Sequence, residues 1–113
     1  MDCLICQRLA AWRQGSNPHV ICELEHSLFV VGDHQFHRGY SLVLFKQHVR
    51  ELHELSAAMQ TTLFQEVMYA ANVIVATFHP YKMNYACYGN SEPHVHWHII
   101  PRYQTDPERQ SHP

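Results

Sequence analysis

The sequence has little charge and no excess of positive charge. Eight Lys and Arg stand against ten Asp and Glu, a net charge of −2, and charged residues make up only 16% of the 113. A basic face fit for a phosphate backbone or an anionic bilayer is not on offer, so neither nucleic acid nor membrane is expected as a partner. Long hydrophobic runs are missing as well. The longest apolar stretch, around Met68 to Phe78, falls short of the ~20 residues that cross a bilayer. The opening MDCLICQRLA carries an acid and a base within a short apolar stretch and does not read as a secretory signal. There is no internal repeat, linker or low-complexity segment. These absences predict a cytoplasmic location, where Cys3, Cys6, Cys22 and Cys87 are metal ligands or free thiols rather than disulfides. With 46% apolar residues in 113, the chain is long enough for one domain, residues 1–113, around one modest core.

What the chain does have is histidine, eleven residues of it. In "PHVHWHIIPRY", from Pro93, His94, His96 and His98 alternate with Val95, Trp97 and Ile99, and Pro101 is expected to stop the run. Residues two apart in a strand share a face, so the imidazoles form a row with roughly 6–7 Å between neighbours. Trp97 then faces away, as a core or dimer-contact aromatic. The outer histidines would stand ~13 Å apart on a straight strand, a poor geometry for one metal ion. Phosphoryl or nucleotidyl transfer fits the row better. It needs a nucleophile, donors for the phosphate oxygens and an acid, and imidazole titrates near neutral pH.

Cys3 to Gln14 reads as a short helix with Ile5, Leu9 and Trp12 on one face, broken by "GSNP". The runs "VICEL" from Val20 and "SLFVVGD" from Ser27 suggest a hairpin, and "YSLVLFKQH" from Tyr40 another strand. Leu55, Met59, Leu63, Val67, Ala71, Ile74 and Phe78 recur at steps of three or four, a long helix with Ser56 as its N-cap and His79-Pro80 as its end. "KMNYACYGN" is a strand with a turn at Gly89-Asn90; the histidine strand follows, and residues 103–113 read as a loose tail. Five strands and two helices predict an α+β domain with a five-stranded antiparallel sheet.

"HVHWHIIPR" resembles the signature of the histidine triad (HIT) family of nucleotide hydrolases and transferases. "CLIC" resembles the C-x-x-C opening of many bacterial members, a branch similar to diadenosine polyphosphate hydrolases. "GYSLVLFKQH" and "MNYACYGNSEPHVHWH" resemble the family's central strand and the segment that presents its triad. The resemblance implies that His96 is the nucleophile and attacks the α-phosphate of a nucleotide derivative through a nucleotidyl-histidine intermediate. It also implies that His98 contacts the phosphate and that Asn84, Asn90 and Ser91 line the substrate site. Asp33 stands near the position of a ribose-binding residue. The implied substrate is a dinucleoside polyphosphate such as diadenosine tetraphosphate, or a nucleoside phosphoramidate, and the implied assembly is a homodimer with a ten-stranded sheet. The chain departs from relatives at Gly89-Asn90, where many have Gly-Gln, and at Tyr40, where many have histidine.

Cys3 and Cys6 form one C-x-x-C with no second pair. The resemblance nominates His48 and His94 to complete a Cys₂His₂ zinc site, which with four protein ligands would be structural. On the residues alone, His94 could equally serve phosphate, with the cysteines as plain core residues. Cys22 and Cys87 read as buried thiols in strands, and His19, His26, His34, His37, His53, His79 and His112 as surface or cap histidines. Two other readings stand beside the enzyme: a non-catalytic nucleotide-binding, zinc-stabilised interaction module, and a zinc hydrolase with the histidines as ligands.

Overall fold

Cys3 opens the first helix. Its Sγ accepts a hydrogen bond from the Cys6 backbone N–H at 3.3 Å, the place serine or aspartate usually takes at an N-cap. In the computed structural model, which describes residues 3–106, this helix α1 spans Leu4–Arg13 and buries Ile5 and Leu9. The hairpin follows as β1 (Val20–Glu23) and β2 (Ser27–Val31), antiparallel, with a bulge between Val20 and Cys22. Strand β3 is Ser41–Phe45. The long helix α2, Ala57–Phe78, starts on Ser56, whose hydroxyl accepts from the Met59 N–H, and ends on His79 in the left-handed region at φ 52°. Strands β4 (Lys82–Ala86) and β5 (His96–Arg102) complete an antiparallel sheet of order β1-β2-β3-β5-β4.

The expected α+β architecture with five antiparallel strands and two helices is the one found. Each sheet face has its own core. Leu63, Val67 and Ile74 of α2 pack on Phe29, Val43, Phe45, Val95 and Ile99. Cys3, Ile5 and Leu9 of α1 pack on Leu28, Val30 and Leu44 across the other face. Register decides what lies beyond α1: Leu44 pairs with His96 and Leu42 with His98. The face that α1 covers therefore runs on into the histidines. On the opposite face Trp97 packs half-buried against the α2 core.

Several expectations need correction. His94 does not belong to the histidine strand, which begins at His96. Its N–H donates to the Glu92 carbonyl at 2.7 Å, and the Val95 N–H is taken by the Val49 carbonyl, so the ladder starts late. Side-chain alternation survives the irregular start, because Val95 and Ile99 still pack toward α2. Pro101 does not stop the strand. The last β3–β5 pair is Ser41 with Ile99, so a residue without an N–H is tolerated beyond it, where only β4 flanks the strand. Cys87 lies one residue past β4, and both it and Cys22 are only half-buried. Residues 103–106, expected as the start of a loose tail, form a turn. The Asp106 carboxylate accepts from Arg102 Nε at 2.9 Å and from the Tyr103 N–H at 3.0 Å. The rest of the expected tail, His112 included, lies outside the described residues.

The sequence also concealed an acid on the buried stripe of α2. Glu66 is 8% exposed and accepts from the His26 N–H and the Ser27 hydroxyl, tying the β1–β2 turn to the helix. No helix among the described residues is long and apolar enough to cross a membrane.

Candidate functional site

His96 is 8% exposed, and its Nδ1 lies 2.6 Å from the His94 carbonyl oxygen. A carbonyl only accepts, so Nδ1 carries the proton and Nε2 keeps a free lone pair. The neighbouring His98 ring stands 5.0 Å away, centroid to centroid, at a 63° tilt. Its Nδ1 is 2.6 Å from the Tyr40 hydroxyl. Burial pushes the Tyr40 phenol up, with the Asp33 charge adding to it, so the hydroxyl stays protonated at neutral pH.

Tyr40 holds this position because Gly32 leaves room for it. A Cβ on Gly32 would sit 2.4 Å from the Tyr40 ring. Replacing Gly32 with alanine is expected to push the ring off His98 and to cost about 1–3 kcal/mol, as overpacking does. Denaturant midpoints of the two proteins would check the cost. An unchanged midpoint would mean that the ring yields without strain.

Several cavities meet at the histidines. One of about 200 Å³ runs along α1 and reaches Ile5, Arg8, Asp33, Tyr40, His96 and His98. A second, about 430 Å³, is lined by the loop from Tyr88 to Glu92 together with His96 and His98. Asn90 and Ser91, predicted substrate residues, thus lie beside the histidines. Asn84 pairs with Ile100, two residues on from His98 on the same face, and its Oδ1 accepts from Arg102 Nη1 at 3.2 Å. Asp33 borders the first cavity but is engaged by Arg8 Nη2 at 2.7 Å. That bond, ahead of the opposing effect of burial, holds its carboxyl below the usual range. The sequence reading missed Arg8, Glu92 and Tyr88 as site residues. Arg8 and Asp33 are 25 residues apart in the chain, which gives no local signal of pairing.

His94 turns away from the cavities. Its Nε2 donates to the Phe45 carbonyl at 2.6 Å, so Nδ1 has the lone pair. That nitrogen is 3.4 Å from Cys3 Sγ, 3.5 Å from Cys6 Sγ and 3.2 Å from His48 Nδ1, while Cys6 Sγ and His48 Nδ1 are 3.3 Å apart. The four ligand atoms all lie within 4.8 Å of one another, a group that could hold a metal ion. A tetrahedron with zinc–sulfur bonds near 2.3 Å and zinc–nitrogen bonds near 2.0–2.1 Å has edges of about 3.3–3.8 Å, close to those observed. Burial, then the Cys3 thiol, pushes the Cys6 thiol up. Burial likewise pushes the Cys22 and Cys87 thiols up, so both stay protonated at neutral pH.

His37, expected at the surface, is half-buried, its Nδ1 without a hydrogen bond and 3.8 Å from the Asp106 carboxylate. Burial and the charge of Arg102 hold its pKa down; burial, then His96, does the same to His98. Unfolded, both imidazoles ionise near pH 6.5. Folded, they stay neutral to lower pH, so below that value the unfolded chain binds more protons and stability falls as pH falls. Urea midpoints should be lower at pH 5.5 than at pH 8; equal midpoints would contradict it.

The fold and the alternating histidines define the class. A model of the HIT domain matches residues 13–105, and the chain belongs to the HIT family. A relative named Protein hit, from Bacillus subtilis (strain 168), is 31% identical over 108 residues, which cover 90% of this chain and 72% of that one. Among solved structures, a HIT-family protein from Bacillus subtilis is similar with a TM-score of 0.79 at 30% identity, over 93% of this chain and 76% of that one. A Streptococcus mutans protein gives 0.79 at 27%, over 94% and 69%, and a Leishmania major protein 0.75 at 26%, over 95% and 76%.

Proposed function

We propose that the protein is a nucleotide hydrolase or nucleotidyl transferase acting at an α-phosphate through His96, on a dinucleoside polyphosphate or a nucleoside phosphoramidate. The observation that carries this reading is the bond from His96 Nδ1–H to the His94 carbonyl. It fixes the tautomer and leaves Nε2 as the nucleophile. Nε2 forms a bond to phosphorus as the bond from phosphorus to the leaving group breaks. The carbonyl then stabilises the positive charge that develops on the ring. Water cleaves the phosphorus–nitrogen bond, releasing the nucleoside monophosphate and restoring neutral His96. Tyr40 donates to His98 Nδ1, which leaves the His98 Nε2–H as a donor to a phosphate oxygen. Asn90 and Ser91 serve the leaving-group side, in the cavity they share with the two histidines.

In this reading Cys3, Cys6, His48 and His94 hold a structural zinc. With all four positions filled by protein the ion has none left for substrate, and what it supplies is a fixed junction between α1 and the segment that presents His96. Mass spectrometry of the protein mixed with diadenosine tetraphosphate should find a covalent adenylyl adduct, and digestion should place it on His96. Turnover with the adduct on another residue would overturn the assignment.

The same reading includes a homodimer formed through β4. That strand is a sheet edge, with Tyr85 exposed on it and Tyr81 exposed just before it. Sedimentation should give twice the chain mass; a monomer at micromolar concentration would remove the dimer.

A further inference from the structure

Beside His98, on the side away from α1, lies a cavity of about 300 Å³ walled mostly by rings: His34, Phe36, Tyr40, Tyr88 and His98, with Ile100. Its size is at the lower end for small-molecule sites. Two of its rings stand in solvent, Phe36 at 82% and Tyr88 at 70% exposed. Leaving large aromatic faces in water is unfavourable, and such faces next to a reactive group usually mark recognition. Tyr40 and His98 already stack in parallel with centroids 6.0 Å apart, so the faces left open are those of Phe36 and Tyr88. His34 stacks on Tyr40 at 5.1 Å, Tyr88 tilts at 51° to His98, and Phe36 meets only the edge geometry of His37.

The cavity is placed to receive a particular part of a substrate. Tyr88 and His98 line it and also line the cavity that holds Asn90 and Ser91. The α1-side cavity, with Asp33, lies on the other side of Tyr40, which borders both. A nucleotide with its ribose near Asp33 and its α-phosphate at His96 would send its leaving group past Tyr88 toward these rings.

We infer that the aromatic cavity is a second subsite, which takes the ring of a nucleobase carried by the leaving group. This rests on the reading that His96 attacks an α-phosphate, and it narrows the substrate class to molecules with two bases. Stacking tolerates any base, because every base presents a π-face. Phe36 and Tyr88 then act as specificity-determining residues, apart from the chemistry at His96.

The test compares diadenosine tetraphosphate with ATP, which offers the same scissile anhydride without a second nucleoside. The unmodified protein should favour the dinucleotide in kcat/KM by roughly 5- to 150-fold, the effect of one stacked base. Phe36→Ala should erase most of that preference while leaving ATP turnover unchanged, and Tyr88→Ala should also erase it. A preference that survives both substitutions, or a Phe36→Ala variant that loses both substrates equally, would overturn the subsite. If neither substrate is turned over, the polyphosphate branch of the catalytic reading fails by itself. The subsite is then decided by calorimetric titration with methylene-bridged analogues of the two compounds, where the same ratio must appear in Kd and collapse in Phe36→Ala.

Discussion

His96→Asn is expected to lower the rate of dinucleoside polyphosphate hydrolysis by about 10³-fold or more, the scale on which losing a nucleophile is felt, while folding and nucleotide binding persist. The asparagine amide can still donate to the His94 carbonyl, so the local backbone keeps its partner. What it lacks is a basic nitrogen able to form a bond to phosphorus. Initial rates, calorimetric binding of a non-hydrolysable analogue and a melting curve separate the three effects. Hydrolysis at the unmodified rate would show that His96 is not the nucleophile. Loss of binding along with activity would make His96 a residue that holds phosphate rather than the nucleophile.

The features that were legible in the sequence are those with a short period. Leu63, Val67 and Ile74 repeat at helical spacing and proved to be the buried stripe of α2. The alternation of His94, His96 and His98 with Val95, Trp97 and Ile99 predicted correctly which residues face α2. The strand's true start was not legible, because it depends on where Val95 and His94 find backbone partners, at Val49 and Glu92. The same holds for Tyr40 and His98, 58 residues apart, and for Arg8 and Asp33, 25 apart. Glu66 misled in the opposite sense. A carboxylate on an apolar stripe looks like an error of pattern until its two hydrogen bonds to the β1–β2 turn are seen. Even the departure from relatives at Tyr40 becomes explicable only with Gly32 beneath its ring.

The two histidine clusters are one construction. His94 gives its side chain to the cysteine group and its carbonyl to His96, so a single residue links the four-ligand group to the proposed nucleophile. Its ring is clamped from both ends, by Phe45 at Nε2 and by the ligand group at Nδ1. The position of the carbonyl that His96 bonds is thus set by the same four-residue group that could hold a metal ion.

Removing the metal should therefore act first on stability and only second on rate. Cys6→Ser, or exhaustive chelation, is expected to destabilise the fold by about 3–4 kcal/mol at free metal 100 to 1,000 times its Kd. For a domain near this size that corresponds to roughly 10–30 °C in Tm. Cys6 is the better choice than Cys3, because Cys3 also caps α1 and is more deeply buried. The helix should not detach completely, since Ile5 and Leu9 still pack on Leu28, Val30 and Leu44. At a temperature where the variant remains folded, kcat should fall by roughly 10- to 100-fold, the range for groups that orient a reacting residue from behind. KM should change less. Elemental analysis should find one zinc per chain in the unmodified protein and less than one in the variant. An unchanged Tm with no bound metal would leave the four ligands as a hydrogen-bonded cluster without an ion. Complete loss of activity at an unchanged Tm would make the ion part of the chemistry and return His94 to the substrate side.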